Sequence, residues 1–474
     1  MSARALPLLA TAALLSACSL APKYEKPAVQ ETAAYKEAGE WMQATPADAT
    51  PRGSWWEAFG DPKLNELQQQ LRDGSFDLRV AVARFEQARA LAQRARSDVF
   101  PTLDAQASGV RARGSAHAPT STGAIVTGDD FVAGVNLSWE IDLFGRLRNA
   151  ARAAGNRAQA SAADLAAVDL ALRAELATDY FSLRGADAEL KLLEDTVTAY
   201  DRAYQLTSNR YQGGIAAATD VDQAETQRQN ARAQLASVRL QRAQLEHAIA
   251  VLLGLPPASV TLEAAPFVGQ PPPISTGLPS ALLLRRPDVA SAERAVAAAN
   301  GEIGVARAAW FPVFVLGASA GYEGTTSSNW FEAPSRFWSS GPSVQVPLLD
   351  FGARSAVNRQ AAATYEEAVA SYKQTALTAY REVEDNLAAL RHLADEVAAD
   401  EAAAASAQRS AYHADRRYAA GVADYLEVAS TQTAALQAQR SALEARVQRM
   451  NAAVGLVRAL GGGWTPEQLN HPVL

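Results

Sequence analysis

Cysteine is almost absent. Cys18 is the only one in 474 residues, which excludes a disulfide framework and any cysteine-based zinc or iron–sulfur site. Histidine is nearly as scarce: His117, His247, His392, His413 and His471 stand far apart, and no two have metal-ligand spacing, so catalytic and metal chemistry have little to build on. Positive charge is not in excess either. A net charge of -7 leaves no basic footprint and argues against a nucleic-acid partner. Aromatic residues reach only 7% while hydrophobic ones make up 48%, the surplus being alanine interleaved with Gln, Arg, Glu and Leu, the mixture of long helices and not of sandwiches. Length alone predicts two to four domains.

The one sustained apolar run is short and lies at the start. Arg4 followed by Ala5 to Leu15 has the form of a secretory signal, too short to span a bilayer. Leu15-Ser16-Ala17-Cys18 resembles the bacterial lipobox, in which cleavage before the cysteine is accompanied by attachment of diacylglycerol to its thiol and an acyl chain to its new N-terminus. The alternative is ordinary cleavage that leaves an inert thiol. Ser19, not Asp, follows, and by resemblance to Gram-negative lipoprotein sorting this favours the outer membrane. One lipid chain gives only reversible attachment, so firm anchoring needs more chains or a further membrane element.

The rest is a tandem duplication at a spacing of about 207 residues. Phe144-Gly145 matches Phe351-Gly352, Arg210-Tyr211 matches Arg417-Tyr418, Gly214 matches Gly421, and Leu253-Gly254 matches Leu460-Gly461. Phe100-Pro101 and Phe311-Pro312 match with a displacement of about four residues. The expected divisions are a signal over 1–17, an N-terminal segment over 18–61, a first repeat over 62–255, a proline-rich linker over 256–287, a second repeat over 288–461 and a tail over 462–474.

Each repeat reads as helix, two strands, one very long helix, a glycine turn and a returning helix. Pro62 to Asp98 is expected as one helix. Phe131, Ala133, Val135, Leu137, Trp139 and Ile141 alternate with other residues, the mark of a strand with one apolar face. Phe311 to about Tyr322 and Phe337 to Leu349 repeat the pair. From Gly145 to Pro256 there is no proline, and Leu165, Leu172, Leu176, Tyr180, Leu183, Leu193 and on to Tyr211 recur at about the coiled-coil period. Gly145 to Gln212 as helix would run roughly 100 Å. Gly213-Gly214 and Gly421 supply the turns.

Four strands, each slightly longer than a tilted bilayer crossing, cannot close on themselves, and an open edge is forbidden in lipid, so closure must come from further copies of the chain. Ser108, Ser319, Ser343 and Gln345 suit a wet interior. The other account is soluble strands packed on helices. Together with Trp55-Trp56-Glu57-Ala58-Phe59-Gly60-Asp61-Pro62, Leu284-Arg285-Arg286-Pro287-Asp288-Val289 and the two Arg-Tyr-x-x-Gly turns, this order resembles the outer membrane factors of tripartite efflux systems, the TolC-like channels, and their lipid-anchored NodT and OprM subgroup.

That resemblance implies a mainly α chain with a transmembrane β-barrel, four strands per protomer, in a homotrimeric α-barrel and β-barrel. It implies passive conduction of exported compounds from the periplasm, with a periplasmic adaptor, an inner-membrane pump of the resistance-nodulation-division type and outer membrane lipid as partners. The gate is then expected at the tip, with Thr219 and Asp220 after the first turn, Tyr418 before the second, and Leu426, Glu427 and Ser430 on the second returning helix. Tyr418 to Asp220 is the expected latch. Ser430 stands where the family can place a second acid, and Ala423 where it can place an arginine, so the seal is either less acidic or apolar at Leu426. A solvated helix face, or for Asp220 a helix cap, is the competing reading.

Gly317-Ala318-Ser319-Ala320-Gly321 matches a nucleophile elbow but sits in a strand pattern, Gly461-Gly462-Gly463 reads as a helix cap, and Arg228 to Arg242 reads as a solvated face. No enzyme activity, metal or cofactor beyond the lipid is expected. A lipid-anchored periplasmic scaffold or adaptor is the alternative function. It needs one helical hairpin, whereas this chain has two.

Overall fold

Pro62 begins a helix because Asp61 caps it: the carboxylate accepts from the backbone N–H groups of Lys63 (2.9 Å) and Leu64 (3.2 Å), and proline suits the first helical position. This helix, α1 (Pro62–Gly74), buries Leu64, Leu67 and Leu71. The computed structural model describes residues 19–30, 32, 34–37, 53–117, 125, 127–267, 269–274 and 285–469, so Cys18 and the run before it lie outside the described residues. After α1 come α2 (Phe76–Ser97), β1 (Thr102–Arg113), β2 (Thr127–Glu140), α3 (Arg146–Gln212) and α4 (Ala218–Leu252). The second half gives α5 (Pro287–Ala308), β3 (Val313–Gly324), β4 (Arg336–Gln345), α6 (Ala353–Ala419) and α7 (Tyr425–Ala459). The duplication is thus structural: α3 and α6 have 67 residues each, and α4 and α7 have 35 each.

The single helix expected over 62–98 is two helices. A Cβ on Gly74 would collide with the Leu253 carbonyl, and the chain turns at Ser75, whose N–H caps Leu71.

One compact unit holds the described residues within 19–28, 84–161 and 291–373. Its centre is an antiparallel sheet in the order β1-β2-β3-β4, so β1 and β4 are its edges. Thr102 stands opposite Ser138 in the first hairpin, and Val313 opposite Gln345 in the second. These are the same pairing in the two repeats, with a spacing of 211 residues for β1 to β3 and 207 for β2 to β4. Phe144 stacks on Phe311 with centroids 4.5 Å apart, which ties the matched Phe-Gly and Phe-Pro points of the two halves together. The N-terminal strip is pinned to α5: Asn300 donates to the Pro22 carbonyl (3.0 Å) and the Tyr24 hydroxyl donates to Glu293.

The other unit holds the described residues within 29–83, 162–290 and 374–469. On α3 its core follows the predicted seam, with Leu165, Leu172, Leu176, Tyr180, Leu183 and Leu193 buried, and α6 buries Ala376, Ala379, Val383 and Leu387. Tyr211, at the seam's far end, is exposed. Trp55 and Trp56 open a 3₁₀ turn (Trp55–Phe59), with the Arg173 guanidinium 4.6 Å from the Trp56 ring, and Tyr180 donates to Asp61 (2.7 Å). Arg286 is a buried hub. It grips Asp288 with two bonds (3.0 and 2.6 Å), reaches Glu382 (2.7 Å) and donates to the Ala459 carbonyl (3.1 Å). The Arg228 to Arg242 face is likewise not simply solvated: Arg228 lies 4.2 Å from the Tyr204 ring, and Arg242 pairs with the buried Asp187 at 2.7 Å.

Candidate functional site

The sheet register sorts the strand side chains into two unlike faces. Ser108 opposes Val132, Asn136 opposes Ser319, and Ser319 opposes Ser339, so all four residues expected to share a wet face, Ser108, Ser319, Ser343 and Gln345, do share one. The Ser319 and Ser339 hydroxyls bond across it at 2.8 Å. The charged side chains on this face, Asp104, Asp130, Glu140 and Glu323, are all acidic.

The opposite face carries Leu103, Ala105, Phe131, Ala133, Val135, Leu137, Trp139, Phe314, Leu316, Trp338 and Val344. Leu103, Val135, Trp338 and Val344 are exposed, Trp338 at 79%. Its charges, Arg111, Arg113, Asp129 and Arg336, lie only toward the strand ends remote from the helices. Trp139 at the helix end donates to the Val99 carbonyl (3.0 Å), while Tyr322, Trp330 and Phe331 cluster at the loop end. An alternation of this kind gives one wet and one apolar wall. Among the described residues no helix is long and apolar enough to cross a membrane.

In the second unit, the two Arg-Tyr-x-x-Gly sequences fold as the same helix ending. The Ile215 N–H bonds the Arg210 carbonyl (2.8 Å) and the Gly214 N–H bonds that of Tyr211 (2.9 Å); Val422 to Arg417 and Gly421 to Tyr418 repeat this at 3.0 Å. This double closure needs a left-handed residue at its fifth position, and Gly214 (φ 70) and Gly421 (φ 77) provide it. Gly213 precedes the turn residue in the first copy. The tips present Ile215, Val422 and Leu426 to the surface, at 79%, 65% and 59% exposure.

Behind the turns the hairpins lock together. The buried Tyr418 hydroxyl bonds Thr207 (3.0 Å), its ring lies edge-on to Tyr425 (5.6 Å), and the Arg210 guanidinium lies over that ring (4.5 Å) while donating to the Tyr418 carbonyl (2.9 Å). Tyr425 is 1% exposed, and its hydroxyl has no partner among the described residues. Burial, and then the neighbouring Tyr200 and Tyr418, push that hydroxyl up to about 12.

Within the chain Tyr418 and Asp220 do not form the expected latch. Tyr418 is engaged by Thr207, and the Asp220 carboxylate accepts from the Ala217 N–H (3.2 Å) at the start of α4. Glu427 instead pairs with Arg417 (2.8 Å), its N–H is capped by Asp424 (3.0 Å), and its carbonyl accepts from Ser430 (3.1 Å). Thr219, Leu426 and Ser430 are exposed, while Asp220 and Glu427 are half-buried. Thr207, Arg210 and Tyr425 escape sequence reasoning. The signal was present in part: Arg210 and Arg417 are matched by the repeat, yet one stacks on a tyrosine and the other pairs with an acid.

The model of the family described as outer membrane efflux protein matches residues 67–255 and 278–462. The solvent efflux pump outer membrane protein SrpC of Pseudomonas putida is 34% identical over 99% of this chain and 100% of its own length. Outer membrane protein OprJ of Pseudomonas aeruginosa is 34% identical over 95% of this chain and 94% of its own. The solved outer membrane channel CmeC of Campylobacter jejuni superposes with a TM-score of 0.90 and 26% identity, covering 95% of this chain and 96% of that one.

Proposed function

The chain belongs to the outer membrane efflux protein family and is the outer membrane channel of a tripartite efflux system; from that premise we propose that three copies close into one conduit. The observation that carries this is the sheet: one wet face, one apolar face and two open edges. In lipid such edges must be paired, and β1 of one copy against β4 of the next leaves none. From Phe131 to Trp139 the apolar face of β2 runs about 27 Å along the strand, which at a tilt of about 40° is close to the hydrocarbon band of a barrel.

The chain holds a template for the seam between copies. Inside it, β2 of the first repeat pairs with β3 of the second, with Asn136 opposite Ser319 and Gly134 opposite Gly321. Carried forward by the spacings of 207 and 211, those pairs become Ser343 opposite Ser108 and Gly341 opposite Val110 in a neighbouring copy. Phe351, 93% exposed, and Phe100, 68% exposed, are the counterparts of the stacked Phe144 and Phe311, and would stack across the same seam.

Conduction is passive. The inward face, with acidic charges and hydroxyls, favours water and cations along the wall. The gate is assigned to the tip, with Thr219, Asp220, Leu426, Glu427 and Ser430 facing the threefold axis and Tyr418 holding the hairpins of one copy together. Three copies of Leu426 would form an apolar seal above three copies of Glu427. A periplasmic adaptor and an inner-membrane pump of the resistance-nodulation-division type complete the system, and no catalytic step is assigned to this chain. The Leu15-Ser16-Ala17-Cys18 sequence supports lipid attachment at Cys18 and anchoring in the outer membrane.

Detergent-extracted protein should migrate as a heat-modifiable trimer and give single-channel conductance in a planar bilayer; salt-released monomer without conductance would overturn the reading. Incorporation of radioactive palmitate should disappear in Cys18→Ala, and unchanged labelling would refute the anchor alone.

A further inference from the structure

On the outward, apolar face of the sheet the charges are concentrated at one level. Arg111 lies nine residues from Thr102 at the helix end of β1, and Arg336 lies nine residues from Gln345 at the helix end of β4, with Arg113 one pleat beyond Arg111. The contacts fix their side: Arg111 faces Asp129 (3.8 Å), and Arg336 lies over the Tyr322 ring (5.9 Å). All three arginines are exposed, and Asp129 is the one carboxylate on this face of the described strands. Below them stand Trp338 and the apolar band. Among the described residues these guanidinium groups make no side-chain contact beyond those two weak ones.

Arg111 and Arg113 are on one edge of the sheet and Arg336 on the other. The seam between copies brings them together. The pair Phe131 and Gly324, shifted by the repeat spacings, becomes Trp338 of one copy opposite Arg113 of the next. Arg336 then stands diagonal to Arg113, at a Cβ separation of about 7 to 8 Å, and Arg111 follows two residues along the same edge. Three guanidinium groups thus surround an exposed tryptophan, against a single carboxylate.

An arginine in hydrocarbon is costly, so this level belongs to the headgroup zone, and since the helices run into the periplasm it is the outer leaflet. We propose that each seam between copies is a binding site for a phosphorylated glycolipid of the outer leaflet. The guanidinium forks of Arg111, Arg113 and Arg336 would hold phosphate oxygens, while Trp338 would lie against sugar and acyl chain. The site rests on the trimeric reading above, because no single copy contains it. A glycolipid with two phosphates matches three cationic forks better than a phospholipid with one.

The test is native mass spectrometry of the full-length detergent-extracted protein with added bisphosphorylated lipid A, dephosphorylated lipid A or phosphatidylglycerol. Trimer should retain bisphosphorylated lipid A, and the variant Arg111→Gln/Arg113→Gln/Arg336→Gln should retain it about tenfold less or worse while its trimer mass and conductance stay unchanged. Asp129→Asn, which removes the competing carboxylate, should retain it more tightly. Equal retention by the triple variant and the parent, or equal retention of the dephosphorylated lipid, would overturn the site while leaving the trimer standing. Equal retention of phosphatidylglycerol would overturn the glycolipid as its ligand. A spectrum without trimer would overturn the closure reading and, with it, this site.

Discussion

Tyr418 and Tyr425 touch each other in the same buried cluster, yet removing their hydroxyls should have opposite consequences. Tyr418→Phe strands the fully buried Thr207 hydroxyl and should cost about 1 to 2 kcal/mol, loosening the tip. Tyr425→Phe removes a buried hydroxyl that has no partner among the described residues, and should be neutral or stabilising. Thermal unfolding of the two variants side by side checks this; equal losses would mean that Tyr425 holds a partner of its own. Asp179 supplies a second contrast. Burial, and then the neighbouring Glu175, raise its carboxyl from 3.8 to about 6. The folded protein therefore binds the extra proton between those values, and stability falls as pH rises through that window. The repeat places Asn386 at the matching position of α6. Asp179→Asn should accordingly raise Tm at about pH 8 and leave it little changed at about pH 4, and a gain of equal size at both would refute the assignment.

Among the elements, the helix ends were the most legible in the sequence. Asp61-Pro62, Gly214 and Gly421 act where their chemistry says they must, since cap and turn depend on neighbours within a few residues. The break at Ser75 was not legible, because its cause lies in a segment far along the chain. Gly254 and Gly461 bring their turns so close to the Gly74 and Arg285 carbonyls that a Cβ would collide with those oxygens. Gly461 also has φ 88, and next to Arg285 lies the buried Arg286 hub. Gly461→Ala should cost at least about 1 to 2 kcal/mol from backbone strain alone and more from displacing α5, read as a lower Tm and less assembled protein. An unchanged Tm would show that the turn has room. The arginine pairings were not legible for the same reason: spacing along a helix shows which face a residue takes but not which buried carboxylate waits there, as Asp187 does for Arg242.

For the whole molecule, the seam between copies makes the sharpest prediction. Ser108→Cys with Ser343→Cys should yield covalently linked multimers with a thiol cross-linker, whereas Ser108→Cys with Ser339→Cys, four residues out of register on the same face, should not. Cys18 is the only native cysteine, so the background is low. Linking only in the shifted pair would disprove the register. The sequence by itself determined the duplication, the two long hairpins and the alternation of the strands, because periodicity and local turn chemistry are written in neighbouring residues. Only the tertiary structure decided that Tyr418 engages Thr207 and not Asp220, that Arg286 is a hub, and that Asn136 stands opposite Ser319 where the two repeats meet. Those facts depend on which distant side chains meet, and such meetings are set by packing and register, which no local pattern contains.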